Sequence, residues 1–252
     1  MKKIIIIFLF FSNLSINFSF GNADKDFQTA NQLYGKKEYE SAKEKYLSIE
    51  KQGMVSPDLY KNIGNCYYQK DEFYMAILYY ERALKLDPAN EDIRFNLKLC
   101  NTKIVDKNDI VPEFFLTKWW NSTVDFLSEK MWTSINLILF IFLIISISLF
   151  IISRSSLSKK IYFVLAIFFL LSSVLTGFIA YQSYTNLSKH DTAIVSTPVV
   201  EIKSSPDEKS KTLFNLHQGT KLILADEVNG WFEIKISNGN KGWVKMEDFV
   251  RI

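Results

Sequence analysis

The chain has 252 residues, a formal net charge of +3 and an apolar content of 48%. A charge this small and this dispersed does not predict a nucleic-acid-binding surface, and we expect no nucleic-acid partner. The apolar residues are concentrated in three segments, which predicts modules separated by membrane.

The first of these segments has the residue order of an export signal. Lys2 and Lys3 precede an apolar run over residues 4–11, and small residues follow at 21–23. This order predicts a signal peptide over residues 1–23. The alternative is an uncleaved membrane anchor, and under either interpretation the next residues leave the cytoplasm.

The segment LYKNIGNCYYQKDEFYMAILYYERALKLDPAN matches the tetratricopeptide pattern. The matching positions are Tyr60, Ile63, Gly64, Tyr67, Ala76, Tyr80, Ala83 and Pro88. One repeat length of about 34 residues earlier, a looser copy carries Ala30, Ala42 and Tyr46. A closing helix follows in EDIRFNLKLCNTKI, so we expect about two and a half repeats, or about five helices, over residues 24–105.

Repeats of this kind present a concave groove to a peptide or helix. The residues predicted to line it for a partner are Phe27, Asn31, Lys61, Asn65, Asn96 and Leu99, with Phe95 beside them. In peptide-clamping members of the family, a Lys and Asn residues hold a partner's carboxylate, and Lys61, Asn65 and Asn96 match those places. A generic partner groove and a carboxylate clamp both stay open, and Asn also occurs in such repeats for packing.

The two cysteines, Cys66 and Cys100, lie one repeat length apart. Equivalent positions on stacked helices are about 10 Å apart, beyond the limit of about 7 Å for a disulfide. We therefore predict buried free thiols. The chain shows no metal-ligand spacing, and no metal or cofactor is expected.

Two uncharged stretches, residues 131–153 and 161–188, are each long enough to cross a membrane. They predict transmembrane helices over residues 133–153 and 161–182, joined by a loop over 154–160. A buried helical hairpin in a soluble protein is the alternative. The loop carries Arg154, Lys159 and Lys160 and no acid, so the positive-inside rule predicts that it is cytoplasmic.

Residues 110–132 predict an amphipathic juxtamembrane segment. The residues on one helical face are Leu116, Trp120, Val124, Leu127 and Met131. This pattern is typical of a helix in the membrane interface. The alternative is that the segment packs on the repeats as a further cap.

Residues 191–252 change to short β-rich runs separated by Gly and Asn turns. The runs VEIKSSP, LHQGTKL, GWFEIK and GWVKMEDF resemble the bacterial SH3-like domain, which implies a small all-β barrel. In that family an aromatic groove can hold peptides or cell-wall fragments, and Trp231 and Trp243 are candidates for it. The alternative is that both tryptophans complete the barrel core.

The predicted fold is therefore multidomain, with an all-α tetratricopeptide stack, an α-helical transmembrane hairpin and a small all-β SH3-like barrel. This order of modules resembles the BatE type of the bacterial aerotolerance (Bat) group. The resemblance implies an inner-membrane protein with both outer modules in the periplasm. It also implies von Willebrand A-type membrane partners and a role in stress tolerance or envelope maintenance.

Two function classes remain open. In the first, the protein is a membrane-anchored interaction scaffold, and in the second, its barrel reads peptidoglycan as an envelope sensor or as a helper of a wall enzyme. The residues show no nucleophile with a base, no phosphate loop and no metal cluster, so we do not expect an enzyme.

Overall fold

A computed structural model of the chain describes residues 21–106, 114–189 and 191–252, with side chains from residue 24 onward. The helices in these ranges are α1 (Gly21–Gly35), α2 (Tyr39–Lys51), α3 (Pro57–Gln69), α4 (Phe73–Leu86), α5 (Glu91–Asn101), α6 (Phe115–Val124), α7 (Glu129–Ile152) and α8 (Ser156–Ser188). The strands are β1 (Thr192–Val195), β2 (Val199–Lys203), β3 (Thr212–His217), β4 (Lys221–Val228), β5 (Trp231–Lys235), β6 (Lys241–Lys245) and β7 (Phe249–Arg251). The predicted signal peptide lies outside the described residues except for its last three positions.

The repeats fold into a stack in which α1 pairs with α2, α3 pairs with α4, and α5 closes the end. Local signals start the helices: the Ser56 side chain accepts from the Leu59 backbone N–H at 3.1 Å, directly before Pro57 at the start of α3. Gly64 lets α3 approach α4, because a Cβ at this position would lie 2.7 Å from Cε1 of Tyr80. The tetratricopeptide prediction is confirmed at the level of the fold.

Both cysteines are free and fully buried in the core of the stack, as predicted. Burial raises the pKa of each thiol to about 12, so both stay protonated at neutral pH. Cys66 and Cys100 therefore act as small apolar side chains, and neither is a nucleophile in this state.

Helices α7 and α8 form an antiparallel hairpin with apolar side chains exposed along most of its length. Asn136 of α7 donates to the Ser173 carbonyl of α8 at 2.6 Å and to Thr176 Oγ1 at 3.1 Å, and Phe142 stacks on Phe169. A hairpin buried in a soluble protein would not expose this surface to water. The length and the exposure of these helices indicate that the hairpin anchors the chain in a membrane.

The structure corrects two helix boundaries next to the hairpin. The amphipathic segment is not one helix, because α6 ends at Val124 and α7 starts at Glu129, and the Trp132 indole donates to the Val124 carbonyl at 3.0 Å across the turn. The connection between the spans is also shorter than predicted, since α8 starts at Ser156 and already contains Lys159 and Lys160. No Gly or Pro separates these lysines from the apolar span, so the helix extends to include them.

The strands form one antiparallel sheet in the order β3-β2-β6-β5-β4-β1-β7. Every strand sends at least one side chain into a single buried cluster, so the sheet curls around its own core. A hairpin turn at Asn238–Gly239 joins β5 and β6, which pair from Trp231 with Lys245 to Lys235 with Lys241. This is the small β domain that the turn pattern predicts.

The β domain is docked on the repeat stack. Ile194 and Ile252 belong to the same buried cluster as Ile77 of α4. Gly219, in the turn between β3 and β4, lies so close to the stack that a Cβ there would be 2.6 Å from Cγ2 of Ile104. Its φ of +95° is the second reason that only glycine suits this position.

Polar contacts surround this apolar centre. Asp106, just after the repeats, accepts from the His217 backbone N–H at 2.7 Å and from the Thr220 hydroxyl at 2.6 Å. Lys221 forms a 2.6 Å ion pair with Glu81 of α4. Burial alone would raise the pKa of Asp106, but the hydrogen bonds from Thr220 and His217 outweigh it and lower that pKa.

The substitution Gly64→Ala tests the close packing of α3 on α4. We expect it to lower the free energy of unfolding by about 1–3 kcal/mol, because the added methyl must displace the buried Tyr80 ring. Thermal unfolding of the full chain in detergent, followed by circular dichroism, measures the effect. Gly35→Ala is the matched control, since a Cβ at Gly35 meets nothing within 4 Å. Equal unfolding midpoints for the two variants would contradict this packing.

The substitution Asp106→Asn tests the polar contacts of the docked β domain. We expect a loss of about 2 kcal/mol at pH 7, since hydrogen bonds to an ionised carboxylate are replaced by bonds to a neutral amide. Because the pKa of Asp106 is lowered in the folded chain, its contribution is full above about pH 4 and disappears as the pH falls further. The thermal midpoints of the wild type and the variant should therefore converge in acid. A gap that does not change with pH would show that the Asp106 charge has no part in docking.

Candidate partner-binding surfaces

Asparagine and tyrosine side chains form a repeated hydrogen-bonded unit along the inner helices of the stack. Oδ1 of Asn65 accepts from the Tyr80 hydroxyl at 2.7 Å and from Nδ2 of Asn96 at 3.1 Å. The same unit occurs one repeat earlier with Asn31, Tyr46 and Asn62. Burial raises the pKa of the Tyr80 hydroxyl, so it remains a donor. The asparagine carbonyl groups thus stabilise the stack, and the Asn65 amide group has no hydrogen-bond acceptor among the described residues.

A cavity of about 210 Å³ lies beside this unit, between α1, α3, α4 and α5. It is lined by the predicted Asn65, Asn96 and Leu99 together with Tyr34, Tyr68, Gln69 and Tyr80. None of these side chains carries a charge at neutral pH. Phe95, one turn before Leu99 on α5, is 67% exposed and extends the surface with an apolar group. We call this surface the repeat groove.

The structure does not bring the other predicted groove residues to this cavity. Phe27 packs edge-on against Tyr46 with ring centroids 5.6 Å apart, so its ring contributes to the core. Asn31 belongs to the earlier hydrogen-bonded unit. Nζ of Lys61 pairs with Asp58 at 2.7 Å and does not line the cavity. The cation that a carboxylate clamp requires is therefore not assembled with Asn65 and Asn96.

Sequence reasoning missed Tyr34 and Tyr68 as groove residues, although a signal for them exists. These two tyrosines are separated by one repeat length, as are Tyr46 and Tyr80. A search for polar aromatic residues at equivalent positions would have found them. The predicted set combined charged, amide and apolar residues and contained no tyrosine.

Neither tryptophan of the β domain belongs to its core. Trp231 and Trp243 alternate along β5 and β6 with the core residues Phe232 and Val244, so they lie on the outer face of the sheet. The alternative that both rings complete the barrel core is therefore wrong. Trp231 lines a cavity on this face, and Trp243 is not part of its lining.

That cavity, of about 390 Å³, combines an aromatic wall with a charged rim. Nζ of Lys245 lies 5.6 Å from the centre of the Trp231 ring and also pairs with Glu208. Glu201, Lys203 and Asp248 contribute to the same rim. Burial raises the pKa of Asp248, and the neighbouring Glu247 adds to the effect. We call this surface the barrel cavity.

Two segments of the chain match known families. Residues 57–90 match the tetratricopeptide repeat family, and residues 198–250 match the bacterial SH3 domain family. No curated protein is significantly similar to the chain. The chain therefore combines a tetratricopeptide repeat and a bacterial SH3 domain with an apolar hairpin between them, in the order on which the Bat resemblance rests.

Proposed function

We propose that the chain is a membrane-anchored interaction scaffold whose repeat groove binds a protein partner. The proposal rests on the way in which the β domain docks on the repeat stack. The β domain contacts α4 and the end of the stack, whereas the groove residues lie mainly on α1, α3 and α5. The groove thus stays open while the hairpin holds both modules beside the membrane. A partner held in this way is presented to a second partner at high effective concentration.

The cellular setting of the scaffold is also part of the proposal. Arg154, Lys159 and Lys160 at the tip of the hairpin support a cytoplasmic tip and an extracytoplasmic, periplasmic position for both modules. The module order supports a Bat-type complex at the bacterial inner membrane, with von Willebrand A-type partners. We assign no catalytic role to the chain, and within the described ranges no cluster of His, Cys, Asp and Glu is suited to a metal.

Co-purification from solubilised membranes tests the scaffold. We expect the double substitution Phe95→Ala/Leu99→Ala to reduce recovered partner about tenfold or more, because it removes the apolar side chains that the groove exposes to a partner. Val55→Ala is the matched control, since Val55 is also exposed on the stack but lies outside the groove. These variants are better suited than Asn65→Ala, which would also break the internal hydrogen bonds. Full recovery with the double variant would place the contact elsewhere.

A peptidoglycan-reading role is the second candidate, and the barrel cavity favours it. The Trp231 ring offers an apolar face for a sugar ring, and the carboxylates and amines around it offer hydrogen-bond partners. The repeat groove has no comparable charged rim.

Binding of the full chain to purified wall material tests this candidate. We expect Trp231→Ala to weaken binding about tenfold, because the variant removes the aromatic wall. Trp243→Ala serves as the control, since Trp243 lies on the same face but does not line the cavity. The full chain is preferable to an isolated barrel, which would expose Ile194 and Ile252. No binding by the wild type, or equal binding by both variants, would count against this role.

A further inference from the structure

Two cavities lie where the repeat stack meets the membrane hairpin, and they share Arg94 and Asp125. One, of about 260 Å³, is bounded by α4, α5 and the end of α8. The other, of about 460 Å³, is bounded by the start of α5 and by α6. We call the two together the junction cleft. Its charged lining residues are Glu81, Lys85, Glu91, Arg94, Lys118 and Asp125.

The cations of the cleft differ in whether they already have partners in the protein. Lys85 donates to the backbone carbonyls of Lys189 and Ile252, so its ammonium group is occupied. Arg94 and Lys118 are exposed, and neither forms an ion pair with any residue in the described ranges. These two cations are free to bind an anion such as a phosphate group.

Three carboxylates line the same cleft, and they differ in their surroundings: Glu81 pairs with Lys221, Glu91 is exposed, and Asp125 is half-buried. Asp125 follows the last residue of α6, and its side chain accepts no hydrogen bond from the part of the chain that the structure describes. Burial raises the pKa of Asp125, while the nearby positive charge of Arg94 opposes the rise. A partly desolvated carboxylate without a donor is unfavourable, so a ligand that brings an ammonium group would be stabilised here.

The cleft lies beside the ends of the two apolar helices. Helix α6 exposes Phe115 and Trp119, and Phe126 lines the cleft with 69% of its surface exposed. Helix α7 enters its apolar stretch just after Lys130, and the polar residues Ser183 and Asn186 of α8 line the cleft. Exposed aromatic rings beside the start of an apolar span mark the boundary between hydrocarbon and water.

We infer that the junction cleft binds the headgroup of an amine-bearing phospholipid, with its phosphate on Arg94 and Lys118 and its ammonium group on Asp125. A headgroup with phosphate and no amine would leave the Asp125 carboxylate without a donor. A trimethylated amine has no N–H to donate to it. The exposed ring of Phe126 offers an apolar wall to the first part of an acyl chain. This inference rests on membrane anchoring and is independent of the partners proposed above.

Native mass spectrometry of the full chain in detergent tests the lipid class. The probes are phosphatidylethanolamine, phosphatidylcholine and phosphatidylglycerol with identical acyl chains. We expect phosphatidylethanolamine to bind about tenfold more tightly than the other two, the effect of one hydrogen bond to a charged group. Equal binding of phosphatidylcholine, or tighter binding of phosphatidylglycerol, would overturn the assignment. This comparison uses the wild-type chain, so it does not depend on the folding of a variant.

Variants locate the site. Asp125→Asn should remove the preference for phosphatidylethanolamine over phosphatidylcholine. The control is Asp92→Asn, which should keep the preference because Asp92 is an exposed residue of α5 outside the cleft. Arg94→Gln should weaken all three lipids about tenfold, whereas Lys98→Gln should not. Circular dichroism confirms that each variant is folded. An unchanged preference in a folded Asp125→Asn variant would overturn the role of Asp125.

Discussion

The contact between the turn at Gly219 and the end of the repeat stack decides how the modules are arranged. Gly219 lies against Ile104 and Ile77, and Asp106 binds the backbone of His217 and the hydroxyl of Thr220. A helical hairpin between two modules by itself only places them near each other. This contact, with its apolar centre and its satisfied polar rim, joins them into one unit.

The arrangement separates three surfaces that differ in chemistry. The repeat groove is neutral and lies mainly on the inner helices. The barrel cavity is charged and lies on the outer face of β5 and β6, and the junction cleft lies where the stack meets the apolar hairpin. Docking uses α4 and leaves all three accessible. The three surfaces share no lining residue, so the partner protein, wall fragment and lipid proposed above would not compete for the same side chains.

The candidate sites were only partly predictable, and particular residues show why. Asn65 and Asn96 were identified from the repeat spacing, but Asn65 accepts from both Asn96 and Tyr80, which a one-dimensional pattern does not reveal. Lys61 has the spacing of a clamp residue, yet Asp58 one turn earlier pairs with it. Trp231 and Trp243 share a strand pattern, but only the fold distinguishes the ring that lines a cavity.

The sequence by itself determined the repeat helices, the two spans and the β-rich end, because helical and strand periodicity and the length of apolar runs are local properties. Small residues at Gly64 and buried thiols at Cys66 and Cys100 followed from the repeat spacing. Only the tertiary structure decided that α6 and α7 are separate helices and that the β domain docks on α4. The contact of Asp106 with Thr220 joins residues 114 positions apart. Contacts this distant leave no periodic signal in the chain, so folding alone brings them together.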